Sequence, residues 1–353
     1  MKKRILSIIL IFLFGLFLSG CGKKTTIIEL DNGLSFHTDL QQAYLNDSYA
    51  NFSLYAKGLE NLSTPKAIEI SWDDSIIEVS SNYEVKLSEY ENLSNPKTYT
   101  TNTNSVSIYN LKIGTKYYYT VSSENSVSKV ISFETSSKGP RNLNVDELTN
   151  VRDLGGWKTD TSKVKQDLIF RSSKFNEDES TELIITQKGI EILVNEFKIK
   201  TEIDLRKTDD NENGGITTSP LGESVNYISM PMKSSGNILT LNKKQIVDIL
   251  RVFADENNYP IIFHCSIGTD RTGLIAFLIN ALVGVSEDDL YRDYLFSNFG
   301  LIHSMRTPSA IKDYLREINL KSGATLKEKT YKYLLGLGMT NNELDNIIRI
   351  LTK

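Results

Sequence analysis

Residues 259–284 read YPIIFHCSIGTDRTGLIAFLINALVG, and this stretch decides how the C-terminal half of the chain folds. Residues 261–263 are an apolar run that predicts a buried strand, and residues 274–283 predict a buried helix. Residues 265–271 are then the turn between them. Backbone N–H groups in such a turn, with those of the first helical turn, form a cradle for an oxyanion. The sequence therefore predicts an anion-binding loop.

The side chains of this turn suit a phosphate group. Gly268 can take a positive φ or let the backbone approach a ligand closely. Arg271 offers a planar fork of donors that matches two phosphate oxygens. Cys265 lies at the base of the turn, beside the helix terminus and the guanidinium, and this environment favours the nucleophilic thiolate. We therefore expect a nucleophile beneath a bound phosphate.

The turn as a whole resembles the signature of the atypical tyrosine and lipid phosphatases of bacteria and fungi, which here reads His264-Cys265-x-x-Gly268-x-Asp270-Arg271-Thr272-Gly273. The resemblance implies that Cys265 attacks phosphorus, that Arg271 holds the equatorial oxygens and that Thr272 donates to the sulfur. It implies no cofactor and no metal. The loop residues expected to bind substrate are Ser266, Ile267, Gly268, Thr269 and Gly273.

Further matches to the same family lie at residues 150–156, 170–173, 204–206 and 293–298, so the resemblance covers 148 to about 350. It implies an α/β domain with a central, mainly parallel sheet flanked by helices. Arg152 and Arg206 are expected to add positive charge near the phosphate, with pairing to Asp153 and Asp204 as the alternative. We interpret Asp204 as a supporting residue. We interpret His264 as a support that hydrogen-bonds the loop.

Hydrolysis also needs a proton donor for the leaving oxygen. In the family that the chain resembles, this acid is the loop aspartate, here Asp270. The alternatives are Asp209, Asp210 and Glu212, in the loop after residues 200–205, which read as a strand. We favour Asp270 because it adjoins Arg271.

Thr269 departs from the family pattern, which usually has lysine at this position and associates it with extra phosphates on inositol lipids. A threonine removes that charge. A monophosphorylated substrate, phosphotyrosine above all, is therefore favoured over a phosphoinositide or inositol phosphate.

The N-terminus has the pattern of a secretory leader, with basic residues at 2–4 and an apolar stretch at 5–18. It ends in Leu18-Ser19-Gly20-Cys21, which resembles the bacterial lipobox. Residues 1–20 are thus predicted as a lipoprotein signal peptide, Cys21 as the lipidated residue and 21–30 as a tether. Two acyl chains suffice for stable anchoring to a membrane. The expected location is the extracytoplasmic face of a bacterial cell membrane.

Residues 27–137 show period-two alternation with turn residues between the runs, which predicts an antiparallel β-sandwich. The pattern from Leu111 to Val121, after a strand at Trp72, resembles a fibronectin type III domain. We interpret His37 as a surface or loop residue. Residues 138–147 are predicted as a linker and 148–353 as the phosphatase domain.

Composition excludes some classes of function. The formal charge is −4, so there is no basic footprint for nucleic acid. Cys21 and Cys265 are the two cysteines, and lipidation of the first leaves no disulfide framework. The leading hypothesis is a phosphatase acting on a phosphorylated protein or lipid. Rivals are a binding or adhesion module without turnover, and a rhodanese or arsenate reductase.

Overall fold

The structure, a computed structural model, describes residues 28–177, 182–209 and 211–352. The predicted signal peptide, the lipidation site at Cys21 and the alternative acid Asp210 lie outside these residues. Among the described helices, none combines the length and the apolar character that a membrane crossing requires.

The N-terminal part of the described chain is a β unit built of two sheets. One sheet has five strands in the order β1-β7-β6-β3-β4, and the other pairs β2 with β5. Alternate side chains, including Trp72, Val85 and Phe133, point into one apolar core. The strands are β1 (Ile28–Leu34), β2 (Ile68–Ser71), β3 (Tyr83–Ser88), β4 (Lys97–Thr101), β5 (Ser105–Ile108), β6 (Lys116–Ser122) and β7 (Ile131–Thr135).

A helical segment interrupts this unit, although the sequence predicts strands alone for 27–137. It comprises α1 (Asp39–Asn46) and a 3₁₀ turn, Tyr49–Leu54. Thr38 caps α1 in a reciprocal capping box with Gln41. The apolar face of the segment packs on the C-terminal unit: the Tyr44 ring centroid lies 5.6 Å from that of Phe299. Tertiary burial thus places this segment outside the β core.

The C-terminal unit has a six-stranded sheet in the order β12-β11-β13-β10-β9-β8. Strands β10, β13, β11 and β12 are parallel, while β9 and β8 are antiparallel to their neighbours. The strands are β8 (Arg141–Asn142), β9 (Arg152–Asp153), β10 (Ile169–Ser172), β11 (Thr201–Asp204), β12 (Asn226–Ser229) and β13 (Ile261–His264).

Helices cover both faces of this sheet. Ile261 and Phe263 point to one face and Ile262 to the other, and all three are buried, as in a sheet between two helical layers. The predicted α/β architecture is confirmed for this unit. The helices are α2 (Gln187–Glu191), α3 (Ile238–Leu241), α4 (Lys243–Phe253), α5 (Asp270–Val283), α6 (Glu287–Phe296), α7 (Ser309–Asn319), α8 (Leu326–Leu337) and α9 (Asn341–Thr352).

The two units meet at a packed joint, whereas the sequence predicts a linker at 138–147. Buried Arg141 on β8 donates to Asp153 at 2.8 Å and to the carbonyl oxygens of Asn110 and Leu111 at 2.7 and 3.0 Å. His37, predicted as a surface or loop residue, is 1% exposed, with Nε2 2.8 Å from Pro140 O. Burial lowers the pKa of His37 to about 4.

Candidate active site

The predicted strand, loop and helix lie in their expected order. Strand β13 ends at His264, and α5 begins at Asp270, so Asp270 and Arg271 form its first turn rather than the end of the loop. His264 is in register with the last residues of both neighbouring strands, Ser172 and Asp204. The loop therefore leaves the carboxyl ends of three parallel strands, where ligands bind in such sheets.

The backbone of the loop is an open anion cradle. None of the N–H groups of residues 266–271 donates a hydrogen bond to any described residue. The first helical turn supplies part of this set, together with the positive end of the helix dipole. Buried N–H groups normally have acceptors, so this run of donors is what an anion site requires.

Gly268 shapes the cradle as the sequence predicts. Its φ is +68°, and a Cβ there would lie 2.3 Å from the carbonyl oxygen of Ser172. Both the left-handed backbone and the close approach to β10 exclude a side chain.

Two buried side chains hold the loop carbonyls from behind. Asn150 Nδ2 donates to Ile267 O at 3.1 Å, to Gly268 O at 3.0 Å and to Thr269 Oγ1 at 3.1 Å. Arg171 donates to Gly268 O at 2.7 Å. With the carbonyls turned toward these donors, the N–H groups of the same peptide planes face the opposite side.

Arg152 belongs to this buried support, which corrects its expected role in substrate binding. It is fully buried and donates to Asp293 Oδ1 at 2.8 Å, while Arg171 donates to Asp293 Oδ2 at 2.7 Å. Its other nitrogens donate to Asn150, Asp293 O and Ser297. Every nitrogen of the Arg152 guanidinium already has a protein acceptor, so none is left to bind a substrate. Arg152 instead orders the residues that support the loop. Its partner is Asp293 rather than Asp153.

Arg271 is held in place by Glu212. Nη1 donates to Glu212 Oε2 at 2.9 Å and Nη2 to Glu212 Oε1, and Ser266 Oγ donates to that same oxygen at 2.8 Å. Burial raises the pKa of the Glu212 carboxyl, but the hydrogen bonds from Arg271 and Lys207 prevail and lower it below the ordinary value. Glu212 is therefore a carboxylate that orients the guanidinium.

Buried Cys265, which is 2% exposed, attracts three guanidiniums, those of Arg171, Arg271 and Arg306. Burial lowers the pKa of Arg271, but the Cys265 thiolate and Glu212 raise it above its ordinary value. Burial and the neighbouring Arg152 lower the pKa of Arg171 to about 10, against the attraction of Asp293 and Cys265. The base of the loop is therefore a region of positive electrostatic potential.

Asp270 lies in an ion pair at the start of α5. Arg306 donates to Oδ1 at 2.9 Å and to Oδ2 at 2.8 Å, and the Tyr294 hydroxyl donates to Oδ1 at 3.2 Å. Gly273 makes room for this tyrosine, since a Cβ would lie 2.9 Å from the Tyr294 ring. Gly273 was expected to bind substrate, but it serves packing instead.

The two threonines of the signature are both buried. Thr269 faces inward, where Oγ1 donates to Ile267 O at 3.3 Å, so its side chain is turned away from the pocket mouth. Thr272 Oγ1 has no hydrogen-bond partner among the described residues. A buried hydroxyl without a partner is unusual. Because Thr272 lies at the base of the anion cradle, its hydroxyl can donate a hydrogen bond there during the reaction.

His264 supports β11 rather than the loop, which corrects its predicted contact. Its Nε2 lies 2.9 Å from Glu202 Oε1, and its Nδ1 lies 3.8 Å from Asp204 Oδ1.

Glu202, Asp204 and His264 are close enough to hold a metal ion. Asp204 already accepts from Arg206 at 2.8 Å, and both are buried. Arg206 thus has the predicted alternative role of pairing with Asp204.

A cavity of about 270 Å³ opens beside the loop. Leu183, Ile267 and Leu301 give it apolar walls, and Lys174 and His303 add polar edges. The remaining lining residues are Thr149, Ser173, Glu182, Glu212 and Ser266. Its position next to Ser266 and Ile267 suits the group that carries the anion.

Sequence reasoning missed several residues of this site. Asn150, Arg171 and Asp293 lie inside stretches that match the family patterns, but nothing in those stretches shows that they meet behind the loop. Glu202 and Arg306 carried no signal at all. Glu212 was expected only as an alternative acid.

The sequence of this chain is similar to those of known phosphatases. A sequence profile of the tyrosine phosphatase family matches residues 143–352. A Cupriavidus necator protein named as a tyrosine-protein phosphatase is 26% identical over an alignment of 179 residues, and the match covers 46% of this chain and 65% of that protein. The chain thus spans less than two thirds of the length of this relative.

Two solved structures are also similar. One is TpbA of P. aeruginosa in complex with phosphotyrosine, at 18% identity and a TM-score of 0.31, covering 49% of this chain and 88% of that one. The other is the core catalytic domain of the PP-IP phosphatase Siw14 from S. cerevisiae in complex with citrate, at 16% identity and a TM-score of 0.30, covering 47% and 87%.

Proposed function

The chain belongs to the tyrosine phosphatase family, and from this premise we propose that it hydrolyses phosphomonoesters through a phosphocysteine intermediate at Cys265. One observation carries the proposal: the N–H groups of residues 266–271 donate no hydrogen bond to a described residue, and they follow directly after the buried thiol of Cys265, which attracts three guanidiniums. A thiolate under an anion cradle is the arrangement that nucleophilic phosphoryl transfer needs.

In the first step, Sγ of Cys265 attacks phosphorus while the bond from phosphorus to the leaving oxygen breaks. The loop N–H groups and the Nε–H of Arg271 hold the non-bridging oxygens, on which charge is spread in the transition state. The leaving oxygen takes a proton from an acid. The products are a phosphocysteine and a free alcohol or phenol.

We assign the proton for the leaving oxygen to Asp270. Glu212 has a lowered carboxyl pKa and is committed to Arg271, so it is a poor proton donor. Asp270 lies directly before Arg271 in the first turn of α5, where Arg306 and Tyr294 hold its carboxyl group. In the first step it gives its proton to the leaving oxygen. The carboxylate then formed stays at the loop as a base for the second step.

In the second step, water attacks the phosphorus of the phosphocysteine and the sulfur–phosphorus bond breaks. The Asp270 carboxylate takes the proton that the water loses. The unpartnered Thr272 hydroxyl donates to the departing sulfur, which leaves as a thiolate. Inorganic phosphate is released and the enzyme returns to its starting state.

The substrate proposed first is protein phosphotyrosine. The cavity walls of Leu183, Ile267 and Leu301 suit an aromatic ring, and Thr269 brings no charge to the mouth. An inositol phosphate or phosphoinositide is the second candidate, because Lys174 lines the same cavity and would meet a further phosphate.

The experiment is phosphate release from a phosphotyrosine peptide, a phosphoserine peptide, an inositol phospholipid and a nucleotide. It is run with reductant and EDTA on the wild type and on Cys265→Ser. We expect release by the wild type alone, fastest from phosphotyrosine. Equal rates for the two proteins would overturn the cysteine mechanism. Silence from both, with a phospho-ligand retained by Cys265→Ser, would favour a binding module instead.

We also propose that the protein is a lipoprotein whose Cys21 anchors it to the outer face of the cell membrane. The support is the leader sequence at 1–21. The two sheets around one core support a fibronectin type III-like spacer in the β unit. Cys21→Ala should move the protein from the membrane fraction to the soluble fraction. A variant that stays in the membrane would contradict lipidation at this residue.

A further inference from the structure

Residues 57–64 form a strap that runs from the β unit onto the C-terminal unit. Gly58 N–H donates to Asn298 O at 2.7 Å, Ile302 N–H donates to Gly58 O at 3.0 Å, and Leu62 N–H donates to Phe299 O at 2.6 Å. A Cβ at Gly58 would lie 2.5 Å from Ile302 Cγ1, and its φ is +75°. The strap thus lies against the segment after α6 as closely as a paired strand.

The far end of the strap reaches the support of the phosphate loop. Asn150 N–H donates to Ser63 Oγ at 2.9 Å. Ser63 Oγ and Thr149 Oγ1 both donate to Asn61 Oδ1 at 2.8 Å. Ser63, Thr149 and Asn150 are all at least 96% buried. Water therefore has little access to replace these hydrogen bonds.

From Asn150 the network continues into the loop. Its side chain donates to the carbonyl oxygens of Ile267 and Gly268. The peptide planes that carry these two carbonyls also carry the N–H groups of Gly268 and Thr269. Fixing one edge of a plane fixes the other, so a shift of Asn150 would turn two of the donors proposed to hold the phosphate.

We propose that Asn61 and Ser63 are positioning residues for the phosphate loop, although both lie outside the segment that matches the phosphatase family, 143–352. They touch no substrate and act through Asn150. The inference rests on the proposed function, because the loop donors matter only if a phosphate binds there. No pattern within the family segment predicts it, since Asn61 and Ser63 come from the N-terminal half of the chain.

The test uses the full chain with Ser63→Ala, which removes the acceptor of the Asn150 N–H. With p-nitrophenyl phosphate, kcat should fall about tenfold with a smaller change in KM, because loop donors act most strongly in the transition state. Inhibition by tungstate, a phosphate-like oxyanion, should weaken about tenfold. Ser63→Thr keeps the hydroxyl and should restore most of both quantities.

The matched control is Thr330→Val, which also removes one buried hydroxyl, here bonded to Leu326 O within α8. A structural role alone predicts that both variants lower Tm alike and leave kcat unchanged. Wild-type kcat and tungstate inhibition in Ser63→Ala would therefore overturn the proposal.

Asn61→Ala provides the same readouts if Ser63→Ala does not fold, because exposed Asn61 holds the Ser63 and Thr149 hydroxyls. Wild-type values in Asn61→Ala would then overturn the proposal. If the wild type releases no phosphate, the proposed function fails separately, and calorimetric binding of tungstate to the same variants still tests the positioning.

Discussion

Glu212 holds both terminal nitrogens of Arg271 and leaves the Nε–H of that guanidinium without an acceptor anywhere in the described chain. One edge of the planar fork is thus fixed by protein and the other is open to a ligand. A pre-oriented arginine loses less freedom when it binds a phosphate.

Glu212→Gln should therefore impair catalysis without removing any proposed catalytic group. We expect kcat/KM for p-nitrophenyl phosphate to fall about ten- to a hundredfold, because a neutral amide no longer holds the guanidinium in place. Glu223→Gln is the matched control, since Glu223 is exposed in the same connection between β11 and β12. If Glu212→Gln were as active as the control, Arg271 would not depend on Glu212 for its orientation.

Gly268→Ala should abolish activity. The added Cβ would lie 2.3 Å from Ser172 O, and its nearest neighbours are all backbone atoms of Ser172 and Ser173, which cannot move aside as a flexible side chain can. We expect a loss of at least about a hundredfold in kcat/KM, measured by phosphate release. Gly222→Ala separates the two causes, because Gly222 also has a positive φ, +112°, but has no atom near its Cβ position. That control should keep its activity; equal losses would point to backbone strain alone.

Asp270→Asn should make the rate depend on the leaving group. An amide cannot protonate the leaving oxygen, so esters of basic alcohols suffer most. We expect a loss in kcat/KM, which reports the first step alone, of about a hundredfold or more for a phosphotyrosine peptide and only a few-fold for p-nitrophenyl phosphate, whose phenolate leaves without help. A uniform loss across both esters would assign the proton to another group.

His37 should make stability depend on pH. Its pKa falls from 6.5 to about 4 in the folded state, so between those values the unfolded chain binds more protons. The sign follows: stability is highest above pH 6.5 and falls as the pH drops toward 4, by about 3 kcal/mol in all.

The comparison with His37→Gln isolates this effect, because the carboxylates that titrate in the same window are common to both proteins. Denaturant unfolding at pH 7 and pH 4.5 should show the wild type losing more stability than the variant. Parallel losses would mean that His37 is hydrated in the folded protein.

The local part of the site could be predicted from the sequence, and the distant part could not. The local part consists of sequence neighbours: the strand, Cys265, Gly268 and Arg271. Hydrophobic periodicity and the residue preferences of turns are therefore sufficient to place them. Asp293 is 141 residues from Arg152, and no local pattern indicates that they pair. We expected Arg152 to bind phosphate because it is a charged residue in a family motif. In the structure Arg152 is buried, and its charge is paired with Asp293.

The fold shows the same division. Alternation predicted strands such as β2 and β3 correctly, because each buries one face. Helix α1 was not predicted, although Thr38 and Gln41 have the spacing of a capping box. This local sequence pattern could have indicated the start of the helix. Its packing on Phe299 could not have been predicted, since Tyr44 and Phe299 lie far apart in the sequence.

The strap has a consequence for where this protein can be cut. The family similarity begins at residue 143, but the folded C-terminal unit includes residues from before that position. Tyr44 and Phe52 pack in its apolar core, and Ser63 accepts a hydrogen bond from the buried N–H of Asn150. A fragment that began at 143 would expose that core and leave Asn150 with one acceptor fewer. In this chain the unit that folds is larger than the unit that sequence similarity outlines.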